Sequence, residues 1–125
     1  MFSLSLFSQR LKFALKGLRH IWQAEQNFRF QVVCGAIVCI LVIFLPLLFW
    51  ERIVLLLLVA AVLVLEIINT VVERLLDVYK PRLHHYVEVA KDMMAAAVLL
   101  TSLISLIIGL MIMIPLILKL LNIGY

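Results

Sequence analysis

The sequence predicts an all-α integral membrane protein with three transmembrane helices and an N-terminal amphipathic surface helix. Hydrophobic residues make up 66% of the 125-residue chain and charged residues only 14%, an apolar excess that a soluble domain does not need. Three mostly apolar stretches, 30–50, 53–72 and 93–118, reach the ~20 residues that a helix needs to cross a hydrocarbon core. We therefore expect one membrane domain over residues 1–125.

Residues 7–22 predict a helix that lies in the membrane interface. Apolar side chains recur there at helical spacing, at Phe7, Leu11, Leu15, Leu18 and Trp22. Basic side chains fall between them, at Arg10, Lys12, Lys16 and Arg19. One apolar and one basic face are typical of interfacial helices. The alternative is the start of a tilted first span, because basic flanks and a tryptophan also mark span ends.

The distribution of basic residues predicts the orientation. Five of the eleven Lys and Arg residues precede the first span, and four lie between the second and third spans. The connection between the first two spans has only Arg52. By the positive-inside rule, the N-terminus and a loop at about 78–87 face the cytoplasm.

The two connections predict how the spans are joined. Glu51 and Arg52 predict a very short turn, which makes the first two spans an antiparallel hairpin and brings Glu25 and Glu73 to a similar depth. The second span continues as a helix until Tyr79-Lys80-Pro81, because the residue before proline avoids helical geometry.

Four polar residues follow one another along the end of the second span. Glu66, Asn69, Glu73 and Asp77 lie at offsets of 0, 3, 7 and 11, which places them on one helix face. An ionisable group inside a membrane helix costs ~2.5–3.5 kcal/mol on insertion scales, so the stripe indicates a functional site. The sequence contains no GxxxxGK[ST], GxGxxG or HExxH motif, which excludes the common nucleotide-binding and zinc hydrolase folds.

The polar residues expected at this depth suit phosphate chemistry. They are Glu25, Glu66, Asn69, Glu73, Asp77, His84, Glu88, Lys91 and Asp92. Carboxylates hold Mg²⁺ and cations neutralise phosphoryl charge, while Glu66, the deepest, suits a general base for an alcohol. Alternatives are a helix-packing role for Glu66 with a cation or amide, and a surface ion pair of Glu88 with Lys91. A proton- or cation-coupled transporter and a non-catalytic scaffold also stay open.

Three segments carry a more specific signal: Glu25-Gln-Asn-Phe-Arg29, Glu66-Ile-Ile-Asn69-Thr-Val-Val-Glu73-Arg-Leu-Leu-Asp77 and Ala90-Lys91-Asp92-Met-Met-Ala-Ala-Ala-Val98-Leu99. Over residues 12–115 the chain resembles the prokaryotic diacylglycerol kinase family. The resemblance implies a homotrimer in the bacterial inner membrane, with its active site on the cytoplasmic side. It also implies transfer of the γ-phosphoryl group of MgATP to the hydroxyl of a membrane lipid. No nucleic-acid partner is expected.

The resemblance also implies roles for individual residues. Glu66 is the expected general base, and Glu25 and Glu73 are the expected Mg²⁺ ligands. The nucleotide and its γ-phosphate are expected to contact Asn69, His84, Lys91 and Asp92. The lipid is expected to contact the surface helix and the start of the first span, at Lys16, Arg19, Trp22, Phe28 and Arg29.

Two departures from the family pattern affect these expectations. The family's N-terminal nucleotide-binding arginine falls on Leu6, so Arg10, one turn later, is the expected substitute. A serine that follows the K-D-M motif in diacylglycerol kinases is Ala95 here. Together with the E-x-N-x-R pattern from Glu25, this alanine resembles the undecaprenol kinase branch. The acceptor therefore stays open between diacylglycerol and undecaprenol, with undecaprenol favoured.

Overall fold

The computed structural model describes residues 4–79, 82 and 84–122, which form four helices and no strand. In chain order the helices are α1 (Leu4–Ala24), α2 (Gln26–Phe44), α3 (Phe49–Tyr79) and α4 (His84–Leu120). The last three are long and apolar enough to cross a membrane. The predicted all-α class with three candidate spans is confirmed.

Helix α1 covers the predicted 7–22 and extends beyond it at both ends. All its described side chains are exposed except Ile21, which is buried near the corner with α2. At that corner Glu25 has an extended backbone, with φ −115° and ψ 116°. Arg29 closes the corner by donating from Nη1 to the carbonyl oxygens of Trp22 at 3.1 Å and Gln23 at 3.4 Å. These carbonyls belong to the last turn of α1, where helices leave acceptors without partners.

The predicted turn at Glu51 and Arg52 is wrong, because both residues lie inside α3. Helix α2 ends at Phe44, and the connection to α3 consists of residues 45–48. Leu45 is extended, with φ −88° and ψ 147°, because the following Pro46 disfavours helical geometry before it and has no N–H to continue the helix. The first predicted span, 30–50, is therefore interrupted at this proline.

Glu51 and Arg52 nevertheless stabilise this connection from the first turn of α3. The Glu51 carboxylate accepts a hydrogen bond from the backbone N–H of Leu48 at 2.8 Å. The Arg52 guanidinium donates to the carbonyl oxygens of Leu47 at 3.3 Å and Leu45 at 3.4 Å. Both side chains thus satisfy backbone groups that the end of α2 and the start of α3 leave open.

The loop predicted at about 78–87 is shorter in the structure. Helix α3 continues through Tyr79 and α4 already begins at His84, so residues 84–87 are helical. The end of α3 at Tyr79 agrees with the break predicted from Tyr79-Lys80-Pro81, although Lys80 and Pro81 themselves lie outside the described residues. The backbone N–H of Arg82 donates to the Tyr79 carbonyl at 3.1 Å.

Helix α3 is the central helix, in contact with both α2 and α4. Near the α2–α3 connection, Val42, Leu47, Leu55 and Ile112 form a buried apolar cluster. Further along, α2 and α3 approach closely at Gly35, where a Cβ atom would lie only 2.8 Å from Val59 Cγ1. Many large apolar side chains on the three long helices are exposed, as expected for helices surrounded by lipid or by other subunits.

Candidate active site

The polar stripe on α3 is buried at its deep end and exposed at its other end. Glu66 is 3% exposed, Asn69 9% and Thr70 5%. Glu73 is half-buried, and Asp77, near the end of α3, is exposed. The stripe therefore runs from the helix interior towards the end of α3 that lies beside the α1–α2 corner.

The Glu66 carboxylate accepts a hydrogen bond from α2. Gln31 Nε2 donates to Glu66 Oε2 at 3.1 Å, while Thr70 Oγ1 donates to the backbone carbonyl of Glu66 at 3.0 Å. Sequence reasoning foresaw an amide partner for Glu66 only as a general alternative and missed Gln31 itself. The available signal was a single amide side chain inside the apolar run of the first span.

Asn69 and Glu73 are joined one helical turn apart. Asn69 Nδ2 donates to Glu73 Oε1 at 3.1 Å. The other end of the Asn69 amide, Oδ1, is buried and accepts no hydrogen bond from the described residues. Buried oxygens are rarely left without a partner, so this atom is suited to a cation or a donor supplied by a ligand.

Glu25 joins the site from the α1–α2 corner. Its Oε1 lies 3.7 Å from Arg74 Nη2, which fixes the corner against α3. Glu25 and Glu73 are both close enough to Glu66 for their charges to act on it. Glu25 and Glu73 therefore lie in the electrostatic surroundings of Glu66, and their joint role in one site stays a prediction.

Helix α4 contacts the exposed end of the stripe through Lys91. Lys91 Nζ forms an ion pair with Asp77 Oδ1, which ties α4 to the end of α3. Glu88 lies 3.2 Å from His84 Nδ1, so the alternative pair of Glu88 with Lys91 is not formed. Asp92 is exposed and has no ion pair or hydrogen bond within the described part of the chain.

The residues expected to contact nucleotide or lipid from α1 and α2 divide into two groups. Arg10, Lys16, Arg19 and Trp22 are exposed. Phe28 is buried, and the Arg29 guanidinium is bound to the end of α1. In this single chain the second group stabilises the α1–α2 corner, and its contact with a lipid stays a prediction.

The carboxylates fit a magnesium ion shared with a phosphate ligand. Among the described residues, no three Asp, Glu, His or Cys side chains converge into a metal cage. Mg²⁺ does not require one, because it usually binds one or two carboxylates and completes its shell with water and substrate phosphates. Glu25, Glu73 and the unpaired Asn69 Oδ1 offer oxygen donors of this kind.

Comparison with known proteins identifies the family of this chain. The model of the family described as prokaryotic diacylglycerol kinase matches residues 12–113. The undecaprenol kinase of Bacillus subtilis (strain 168) is 33% identical over 102 residues, which cover 78% of this chain and 81% of that protein. The matched range begins within α1 and includes the whole of α2 and α3 and most of α4. The chain therefore belongs to the prokaryotic diacylglycerol kinase family and is a membrane lipid kinase.

Proposed function

We propose that the chain transfers the γ-phosphoryl group of MgATP to the primary hydroxyl of a membrane lipid, on the cytoplasmic side of a bacterial inner membrane. The main support is the buried Glu66 carboxylate, held near Glu25 and Glu73 at one end of three apolar helices. A lipid hydroxyl can reach this end laterally from the bilayer, and a nucleotide can reach it from water. The excess of basic residues at the same end supports the cytoplasmic orientation.

In the proposed reaction, Glu66 takes the proton of the lipid hydroxyl while the hydroxyl oxygen bonds to the γ-phosphorus. The bond from that phosphorus to the β–γ bridging oxygen breaks, and ADP leaves. Phosphoryl transfer depends mainly on positioning and on compensation of phosphate charge. Asn69, Lys91, Asp92 and His84 position the nucleotide, and Arg10 adds a cation from α1.

Glu25 and Glu73 would hold Mg²⁺, which would supply positive charge against the phosphates. The protein's own part is to hold these two carboxylates at the interface. The Asn69–Glu73 hydrogen bond and the Glu25–Arg74 pair do this from two directions. Lysine or arginine at either acidic position would oppose the ion.

We propose undecaprenol as the favoured acceptor, with diacylglycerol as the alternative. The B. subtilis relative is named undecaprenol kinase. In addition, Ala95 stands at the position where the resemblance to diacylglycerol kinases leads us to expect a serine. Both lipids present a primary hydroxyl, so the same base serves either. The active form is proposed to be a homotrimer, which would cover part of the apolar surface that a single chain leaves exposed.

The test measures transfer of labelled γ-phosphate from MgATP to undecaprenol and to diacylglycerol, offered separately in mixed micelles. Wild-type protein should label one lipid strongly, and Glu66→Gln should not. Glu51→Gln is the matched control, because it makes the same chemical change at the opposite end of α3. Its amide oxygen can still accept the Leu48 N–H, so activity should stay at the wild-type level.

The outcomes separate the candidate functions. Labelling of one lipid alone identifies the acceptor. ATP binding without labelling of either lipid would reject both acceptors. No ATP binding, together with proton flux in proteoliposomes, would replace the kinase with the transporter that an intramembrane carboxylate also permits.

A further inference from the structure

Gln31 lies on α2 near a close approach to α3. One turn further along α2, Gly35 approaches α3 so closely that a Cβ atom would lie 2.8 Å from Val59 Cγ1. On α3, Val59 and Glu66 are seven residues apart and therefore share a face. The close approach of the helices lets the Gln31 side chain cross the gap and donate to Glu66 Oε2 at 3.1 Å.

This hydrogen bond is specific to the carboxylate. Within the described part of the chain, Gln31 alone donates to the Glu66 side chain, since Thr70 bonds to the backbone carbonyl of Glu66. A neutral amide orients the carboxylate and leaves its negative charge in place. Lysine or arginine at the same position would bind the carboxylate as an ion pair and compete with its role as a base.

The other end of the Gln31 amide indicates that this contact has a function beyond packing. Gln31 lines an apolar cavity of about 500 Å³ between α2, α3 and α4, and its Oε1 is buried without a partner among the described residues. An unpartnered buried oxygen is unfavourable, so an apolar side chain would serve packing better. If the amide were reversed, its acceptor oxygen Oε1 would face the acceptor oxygens of the Glu66 carboxylate. Nε2 is therefore the atom that faces Glu66.

We propose that Gln31 is a positioning residue that holds the Glu66 carboxylate in the orientation needed to accept the lipid proton. The proposal rests on the proposed function, because it takes Glu66 as the general base. Gln31 itself acts through Glu66 and need not contact the transferred phosphoryl group.

The test compares kcat and KM of Gln31→Met, which keeps a similar volume and removes the donor. Misplacement of a reacting group by a fraction of an ångström to 1 Å costs roughly 10- to 100-fold in rate, so kcat should fall by about that factor. KM for MgATP and for the lipid should stay within about twofold, because binding groups are untouched. Gln31→His, which retains an N–H donor, should recover part of the lost kcat.

A double-variant cycle separates positioning from a general packing role. In a Glu66→Asp background the carboxylate is one methylene shorter and should lose the Gln31 hydrogen bond, so adding Gln31→Met should change kcat by less than about twofold. Ser105→Ala is the matched control, because Ser105 lines the same cavity and also has a buried oxygen without a partner among the described residues. Its kcat should equal that of wild type.

Two results would overturn the assignment. One is a wild-type kcat for Gln31→Met while Glu66→Gln is inactive. That result would keep Glu66 as the general base and reject Gln31 as its positioning residue. The other is an equal loss for Gln31→Met in the wild-type and Glu66→Asp backgrounds, accompanied by a lower unfolding temperature, which marks a packing role. An active Glu66→Gln would instead reject the proposed function itself.

Discussion

The two halves of α3 bury equally inaccessible side chains of opposite character. Leu55 and Glu66 are each 3% exposed. Leu55 belongs to an apolar cluster with Val42, Leu47 and Ile112, whereas the Glu66 carboxylate accepts a hydrogen bond from the Gln31 amide. A buried leucine contributes to stability, while a buried carboxylate costs free energy unless it is well paired. In the proposed function, the first half of α3 therefore supports folding and the second half supports chemistry.

The largest effect is expected for Glu66→Gln, which should lower kcat on the order of 10³-fold because a general base contributes about 10² to 10⁴. Nucleotide affinity should change little, and the unfolding temperature in detergent should not fall, because a buried charge is removed. Lipid phosphorylation and nucleotide titration on the same preparation measure the two quantities. Loss of activity together with loss of folding would mean that Glu66 stabilises the helix packing.

Leu55→Ala should have the opposite signature. Truncation of a buried leucine costs about 2–5 kcal/mol in protein cores, so the unfolding temperature should drop clearly. The kcat per folded molecule should be retained, because the cluster lies at the other end of α3 from Glu66. A Leu55→Ala protein that is stable but inactive would remove the division between the two halves.

Glu73→Gln should have an intermediate effect, confined to metal-dependent binding. The glutamine oxygen can still accept the Asn69 Nδ2 hydrogen bond, so folding should be retained. Loss of one carboxylate ligand should raise the Mg²⁺ concentration required for half-maximal nucleotide binding by about tenfold or more. Nucleotide titrations at several Mg²⁺ concentrations measure this shift. An unchanged Mg²⁺ requirement would exclude Glu73 as a ligand.

Sequence patterns predicted the polar half of α3 well because its signal is periodic. Glu66, Asn69 and Glu73 repeat at helical spacing in an apolar background, and a helix keeps such residues on one face wherever it packs. The three candidate spans could be predicted equally well from the sequence, because length and hydrophobicity decide whether a helix can cross a membrane. The expected meeting of Glu25 with this face followed from the antiparallel arrangement of the first two spans.

The remaining features depend on contacts that no single helix encodes. Gln31 was missed because it has no periodic companion on α2, and its hydrogen bond to Glu66 depends on the close approach of α2 to α3 near Gly35. The turn was misplaced at Glu51 and Arg52 because their charges stood out, whereas Pro46 ends α2 earlier. The burial of Phe28 likewise depends on packing near the α1–α2 corner rather than on the pattern of α2 alone.

The smallest effect is expected where the polar half of α3 reaches water. Asp77→Asn removes the charge opposite Lys91, and exposed ion pairs contribute about 0–1 kcal/mol, so the unfolding temperature should change by little.

Lys91→Met, in contrast, should weaken nucleotide binding, because it removes a cation proposed to face phosphate. Unfolding scans and nucleotide titrations of both variants distinguish the two roles of Lys91. Equal losses of nucleotide affinity would mean that the ion pair itself, by joining α3 to α4, builds the nucleotide site. Loss of nucleotide affinity in Lys91→Met alone would mean that the charge of Lys91 acts directly on the phosphates. The site would then include α4 as well as the second half of α3.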